Sequence, residues 1–310
     1  MNYVDNNFNW LTNEIKNKSF DEVFNHIKNK FDSLPIQFKD SIQKFLSDFP
    51  YWGKLDYKNN EYEEIKNKTI SLKEHIDDYK WLYNNLVDYR SKKLLFSILY
   101  NLYDYNFNNL KDLMDNTYCH YFDLDILKCE NETFVDIGSY IGDTTIDFIN
   151  SYQNYNKIYC YEMTDDIFDT LLKNTSKYPN VECKKKAISD KSEILKFNFS
   201  NIDASANKID ENGNTLIEAV SLDDDIKEKV TLIKMDIEGY EQKAIIGAKR
   251  HIKEEHPKLL ISVYHNHEDL WKIPKIIEEI SPGYKFYLRY YGNYIFPTEI
   301  VLFGIYEKNK

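Results

Sequence analysis

Glycine is nearly missing from the first 137 residues, where Gly53 is alone among the nine in the chain. Tight βα turns and close backbone approaches to a ligand need glycine, so that stretch is not built from them. A basic excess is missing too. The 40 Lys and Arg stand against 51 Asp and Glu, a net charge of −11, which argues against coating the nucleic-acid backbone, and no nucleic-acid partner is expected. Four cysteines, Cys119, Cys129, Cys160 and Cys183, contain no C-x-x-C pair, so neither a zinc ribbon nor a dithiol redox motif can be drawn from them. They read as four free thiols in a reducing compartment, the cytoplasm. The longest apolar stretches, such as 94–100, fall far short of the roughly 20 residues a bilayer requires. The first ten residues carry Asp5, with no basic residue before Lys16, so no signal peptide or integral membrane segment is expected. Neither G-x-G-x-x-G nor G-x-x-x-x-G-K-[ST] occurs, which disfavours a nicotinamide-dependent dehydrogenase.

What is present divides in two. Before about residue 125, apolar residues recur three and four apart in Phe20 to Phe31, Pro35 to Phe49 and, at greater length, Leu72 to Tyr105, the period of amphipathic helices. Aromatic positions such as Trp52, Trp81 and Tyr83 have the chemistry of a sugar-stacking surface, but at helical spacing they read as core. After about residue 132, short apolar runs alternate with amphipathic stretches: Thr133 to Ile137, Lys157 to Tyr161, Val181 to Ile188, Thr231 to Met235 and Leu259 to Tyr264. That alternation predicts an α/β fold, a parallel sheet wrapped by helices. At the end, Tyr284 to Tyr291 and Glu299 to Tyr306 are joined by a turn with no helix and should pair antiparallel at one edge.

Four constellations carry chemistry. Phe134-Val135-Asp136-Ile137-Gly138-Ser139-Tyr140-Ile141-Gly142-Asp143-Thr144 is a buried strand, a glycine turn and a helix start. Asp136 at the strand end suits an ammonium group, while Thr144, Thr145 and the helix N-terminus suit a carboxylate, so an amino-acid moiety fits the turn. Glu162 ends the next strand, 26 positions after Asp136, where an acid is placed to bind ribose hydroxyls. Met163 then lies against adenine, and Ala187-Ile188-Ser189-Asp190 closes the opposite side. Leu232 to Glu241 delivers Asp236, Glu238 and Glu241 within six residues, at the carboxyl end of a strand where α/β sheets bind ligands. Tyr264-His265-Asn266-His267 follows a further strand, and His265 is the first choice for a general base. His265 and His267 with Asp236 make only a weak metal set, and no metal is assigned.

With these motifs in order, the region 132 to 305 resembles the FkbM family of S-adenosylmethionine-dependent methyltransferases. The resemblance adds Tyr161-Glu162, Ser221-Leu222-Asp223-Asp224 and Gly247-Ala248 to the segments above. A branch of that family is similar at Glu268-Asp269-Leu270-Trp271, Ile273-Pro274, Tyr287-Leu288-Arg289 and Thr298-Glu299. This chain departs from that branch at Asn266-His267, where Lys-Pro is common, and at Tyr290-Tyr291.

The resemblance implies a class I (Rossmann-like) methyltransferase sheet of seven strands, order 3-2-1-4-5-7-6 with strand 7 antiparallel. A helical N-terminal region, 1–125, would precede a methyltransferase domain, 126–310. S-adenosyl-L-methionine is the implied cofactor. By resemblance Asp136, Gly138 and Gly142 border its methionine portion, Glu162 the ribose, and Met163 with Ile188 the adenine; Ser139, Tyr140, Thr144, Ala187 and Asp236 complete the expected cofactor set. His265 is assigned as base with Asp236 and Glu238 as catalytic partners, and Glu238, Tyr264, Arg289 and Glu299 as acceptor-binding residues. The implied reaction is O-methylation of a sugar hydroxyl in bacterial surface glycan or polysaccharide biosynthesis. Two rivals stand beside it. An N-methyltransferase would take amines alone, and a non-catalytic methyltransferase-like partner subunit would bind cofactor weakly or not turn over. The partner in the leading reading is a small-molecule or glycan acceptor.

Overall fold

Helices occupy most of the first 111 residues: Tyr3–Asn17, Phe20–Asp32, Ile36–Asp48, Glu63–Glu74, Ile76–Asn85, Tyr89–Asp104 and Asn108–Lys111. This computed structural model describes residues 2–49, 51–198, 208–209, 215–293 and 295–307. The apolar spacing becomes one buried face per helix, as with Val23, Ile27 and Phe31 in Phe20–Asp32. Ser19 caps that helix by a capping box, its hydroxyl accepting from Glu22 N while the Glu22 carboxylate accepts from Ser19 N. The long periodic run Leu72 to Tyr105 is broken by its own polar residues. His75 leaves helical geometry between two helices, and Asp88 caps the next by accepting from Ser91 N at 2.7 Å.

Two compact units divide the chain. The first comprises Met1–Asp115, Val263–Lys272 and Phe286–Ile300, and the second Asn116–Ser262, Ile273–Lys285 and Val301–Lys310. Inside the first unit the Lys68 ammonium lies 2.6 Å from the Glu64 carboxylate and 4.2 Å from the centre of the Tyr105 ring. Both charged side chains are buried.

A seven-stranded sheet is built from β1 (Glu132–Ile137), β2 (Tyr155–Tyr161), β3 (Val181–Lys184), β4 (Leu232–Met235), β5 (Lys258–Ser262), β6 (Tyr284–Tyr290) and β7 (Ile300–Tyr306). Its order is β3-β2-β1-β4-β5-β7-β6. The pairs β3·β2, β2·β1, β1·β4 and β4·β5 are parallel, and β7 runs antiparallel to β5. Helices Asp143–Ser151, Asp165–Thr175, Glu241–Gly247 and Lys249–Glu254 fill the parallel connections. β1 is buried at all six positions, as a central strand covered on both faces must be.

One expected strand divides. The run 181–188 supplies β3, turns at Lys184–Lys186, and continues as Ala187–Ile188 in a second sheet with Thr215–Val220, Glu193–Asn198 and Lys208–Ile209. Lys184 and Lys186 both reach the Asp225 carboxylate, at 2.6 and 3.0 Å, which draws the turn away from a continuous strand. Among the described residues, no helix is long and apolar enough to cross a membrane.

Removing one member of the buried Glu64–Lys68 pair leaves the other charge stranded, a loss of about 3–5 kcal/mol. Lys68→Ala is expected to lower the urea midpoint sharply, and Glu64→Gln/Lys68→Met to lower it less. Equal losses in the two proteins would show that packing, not charge pairing, sets the cost.

Candidate active site

β1 ends in a turn that only glycine can make. Gly138 has φ +76, and a Cβ there would lie 1.9 Å from the Asp236 carbonyl oxygen. Gly138 N and Ser139 N both donate to Tyr161 O, at 3.0 and 2.9 Å, which ties the turn to the end of β2. Ser139 is buried and its hydroxyl donates to Asp136 O. Tyr140 is left-handed at φ +47 and exposed. Gly142, at φ +87, precedes helix Asp143–Ser151, whose first turn has no side-chain cap. Its N–H groups, Thr144 among them, form an open anion-binding end.

Asp136 serves this turn from inside. It is fully buried; Thr145 Oγ1 donates to Oδ2 at 2.7 Å, and Lys234 Nζ lies 3.1 Å from Oδ1. Lys234 also donates to Gly138 O at 2.7 Å. Burial pushes the Asp136 carboxyl up, and the Lys234 ammonium and Thr145 pull it back. The structure therefore places this carboxylate against Lys234 and Thr145.

At the end of β2, Glu162 Oε1 accepts from Met163 N and Thr164 N, both at 2.8 Å. Burial raises its pKa, opposed by those N–H groups. One oxygen is thus fixed by the backbone. Ile188 is buried in its short strand with Ala187, and Ser189 N continues the pairing onto Val220 O.

At the end of β4, the Asp236 carboxylate accepts from the Tyr121 hydroxyl at 2.7 Å. Tyr121 also reaches Ser262 Oγ at 3.0 Å. It is buried, left-handed at φ +70, and stacked on the His120 ring at 4.0 Å. Glu238 and Gly239 are left-handed in succession, at φ +56 and +96. Glu241 is buried and accepts from Ile237 N at 2.8 Å.

Tyr264, His265, Arg289 and Glu299 belong to the first unit. Tyr264 donates its hydroxyl to Glu299 Oε1 at 3.2 Å, and its carbonyl accepts from Trp52 Nε1 at 2.8 Å. His265 is buried with its ring edge-on to Tyr51 at 5.2 Å. His267 stacks on Trp52. Arg289 is buried, with Nη2 donating to Asp88 at 2.9 Å and Nη1 to Ser91 Oγ and Leu288 O. Its guanidinium ties β6 to the start of helix Tyr89–Asp104.

Tyr121, His120 and the role of Lys234 escaped the sequence reading. Tyr121 and His120 lie in a stretch with no helical or strand period, and Lys234 sat in plain view within an apolar strand. A lysine between Ile233 and Met235 in a run that must be buried was the one available signal.

The family model of the Methyltransferase FkbM domain matches residues 136–292. No curated protein matches the chain. Among solved structures, Methyltransferase FkbM from Methylobacillus flagellatus KT aligns with a TM-score of 0.67 at 23% identity, over 81% of this chain and 63% of that one. This chain therefore spans less than two thirds of that protein. An rRNA methylase from Streptococcus thermophilus aligns at TM-score 0.37 and 14% identity, over 59% and 91% of the two chains. Aeropyrum pernix fibrillarin with natively bound S-adenosyl-L-methionine aligns at 0.36 and 11%, over 57% and 67%.

Two imidazoles make acid stability a test of this geometry. Burial pushes His120 down to about 4, against the opposing charge of Asp236. Burial, with Lys68 adding, pushes His267 down to about 3. The unfolded chain takes up these protons first, so their contribution is complete above the ordinary histidine value of 6.5 and is lost as pH falls through the lowered values. Stability is expected to decline from about pH 6.5 toward about pH 4, and His120→Gln to flatten part of that decline in urea midpoints taken across the window. An unchanged slope would place His120 in contact with water.

Proposed function

Because the chain belongs to the FkbM methyltransferase family by its match over residues 136–292, we propose that it O-methylates a sugar hydroxyl in bacterial surface glycan or polysaccharide biosynthesis. Its cofactor is S-adenosylmethionine. The residues present fit that group. Gly138 makes a turn packed so tightly on the Asp236 carbonyl that no Cβ fits, an uncapped helix start lies just beyond, and backbone N–H groups orient the Glu162 carboxylate at the end of β2. The Glu162 arrangement carries the reading, since a carboxylate oriented by backbone N–H groups at the second strand end suits a ribose.

When bound, S-adenosylmethionine supplies a methyl group on a positively charged sulfur. The protein's contribution is placement, which supplies much of the acceleration in an in-line displacement. Gly138, Ser139, Tyr140 and Gly142 with Thr144 hold the amino-acid portion, the helix start drawing its carboxylate. Glu162 accepts from the ribose hydroxyls, and Met163, Ala187 and Ile188 bound the adenine. Asp136 acts through Lys234 and the Gly138 carbonyl to keep the turn in shape. A hydroxyl acceptor must give up its proton as its oxygen attacks, and His265 takes it. Asp236 and Glu238 accept from sugar hydroxyls. Arg289 leaves the acceptor set, because its guanidinium is spent on Asp88, Ser91 and Leu288.

Isothermal titration of the full chain with S-adenosylmethionine is expected to show binding that Glu162→Ala weakens at least about tenfold, the loss of a charge-assisted hydrogen-bond pair. No binding to NAD is expected. Methyl transfer to sugar nucleotides, and none to matched amines, is the expected result of an acceptor screen; the reverse establishes N-methylation. His265→Gln should then lower turnover by about 10²–10⁴ with cofactor affinity unchanged. If His120→Gln does this instead, the proton goes to His120. A folded protein that binds no cofactor is the non-catalytic subunit.

A further inference from the structure

Cys160 and Cys183 are 23 positions apart in sequence and directly paired in the sheet, where the parallel register of β2 and β3 sets one opposite the other. Neighbouring strands lie about 4.7–4.9 Å apart, and paired residues project from the same face. That spacing falls within the roughly 4.4–6.8 Å between Cα atoms that a disulfide spans. The two thiols are near enough for each to perturb the other's ionisation. Each also has a threonine: Thr145 Oγ1 lies 3.3 Å from Cys160 Sγ, and Thr175 Oγ1 3.4 Å from Cys183 Sγ. Cys160 is buried and Cys183 partly exposed.

We propose that Cys160 and Cys183 form a dithiol that hydroperoxides oxidise to a reversible disulfide across β2 and β3, Cys183 attacking the oxidant and Cys160 resolving the product. The division of labour follows from the surroundings. The neighbouring Cys160 thiol, helped by Thr175 and opposed by burial, lowers the Cys183 pKa, which favours its thiolate over that of Cys160. The neighbouring Cys183 and burial both push Cys160 up, which keeps it a thiol until it is needed. Burial also pushes Cys129 up to about 12, leaving it inert.

In the first step the Cys183 thiolate attacks one peroxide oxygen and the O–O bond breaks. The products are Cys183 sulfenic acid and hydroxide, which leaves as water with the proton Cys183 gave up. In the second, Cys160 sulfur attacks the sulfenic sulfur, the S–O bond breaks, and the departing hydroxide takes the Cys160 proton. Two thiols and one hydrogen peroxide give one disulfide and two waters. Cys160 lies two residues before Glu162 on the same strand, and its thiol contacts the threonine that holds Asp136. Closing the bond therefore distorts the ribose end of the cofactor site, a consequence that rests on the function proposed above, whereas the dithiol chemistry does not.

The test treats the reduced full chain with limiting hydrogen peroxide, blocks the remaining thiols, and maps peptides without reduction. A linked pair containing Cys160 and Cys183, two hydrogens lighter than its reduced parts and separated by a thiol reductant, is the expected result. In Cys160→Ser, Cys183 should stop at the sulfenic acid and be trapped by dimedone; in Cys183→Ser, Cys160 oxidation should slow at least about tenfold. Oxidation confined to the exposed Cys119 would overturn the proposal, and the wild-type map decides this even if a variant fails to fold. Weaker S-adenosylmethionine binding by the linked form supports the coupling to the cofactor site. Equal binding by linked and reduced protein overturns the coupling alone, and no binding by either is the failure of the cofactor reading.

Discussion

A carboxylate and an ammonium buried side by side hold the centre of the second unit together. Asp136 and Lys234 are paired residues on the adjacent strands β1 and β4, and neither retains appreciable contact with water. Desolvating two charges costs several kcal/mol each, and their attraction offsets this only when further hydrogen bonds complete the site. Here Thr145 completes the carboxylate and the Gly138 carbonyl completes the ammonium. The compensation dictates geometry. Because Lys234 must find Gly138 O, the turn after β1 curls over the β4 strand, so close that the Asp236 carbonyl occupies the place of a Cβ. Glycine there follows from a buried salt bridge two residues earlier.

The same end of the sheet collects backbone strain. Tyr121, Tyr140 and Glu238 all adopt left-handed φ without being glycine, a conformation that costs free energy and persists where the surroundings over-determine it. For Tyr121 the compensation is visible in its two hydrogen bonds, to Asp236 and Ser262. A phenol pinned at two points fixes the Asp236 carboxylate, so the acid emerging from β4 is oriented before any ligand arrives. Glu162 is oriented in the same manner by backbone N–H groups. Preorganised acids at two strand ends are what a site for a polyhydroxylated, positively charged ligand requires.

How much of this was legible in the residues depended on whether the cause was local. Apolar runs and glycine turns are local, and β1, β2, β4, β5 and the turn at Gly138 stand where the pattern put them. The helices Phe20–Asp32 and Ile36–Asp48 likewise follow their spacing. The run Leu72 to Tyr105 is helical as its spacing indicates, while the breaks at His75 and Asp88 come from polar residues, Asp88 favouring an N-cap over a helix interior. Arg289 misled because a guanidinium reads as a ligand binder until its carboxylate partner, about 200 residues earlier, is known. The pairing of Cys160 with Cys183 lay beyond any spacing rule, since it is created by strand register and not by chain distance.

The composition of the first unit bears on what the helices are for. Segments 263–272 and 286–300, which carry Tyr264, His265 and Glu299, belong to the same unit as residues 1–115. They are held there by specific bonds: Trp52 donates to Tyr264 O, Tyr79 to His267 O, and Ser91 Oγ accepts from Leu288 N. Aromatic residues of the first 115 positions thus serve as core and as donors to the loop bearing His265. A sequence change in the helical region acts on the unit from which Tyr264, His265 and Glu299 project. A change at Gly138 or Glu162 acts on the second unit. Under the function proposed above, Tyr264, His265 and Glu299 therefore answer to the helical unit, and the glycine turn, Glu162, Asp236 and Glu238 to the sheet unit.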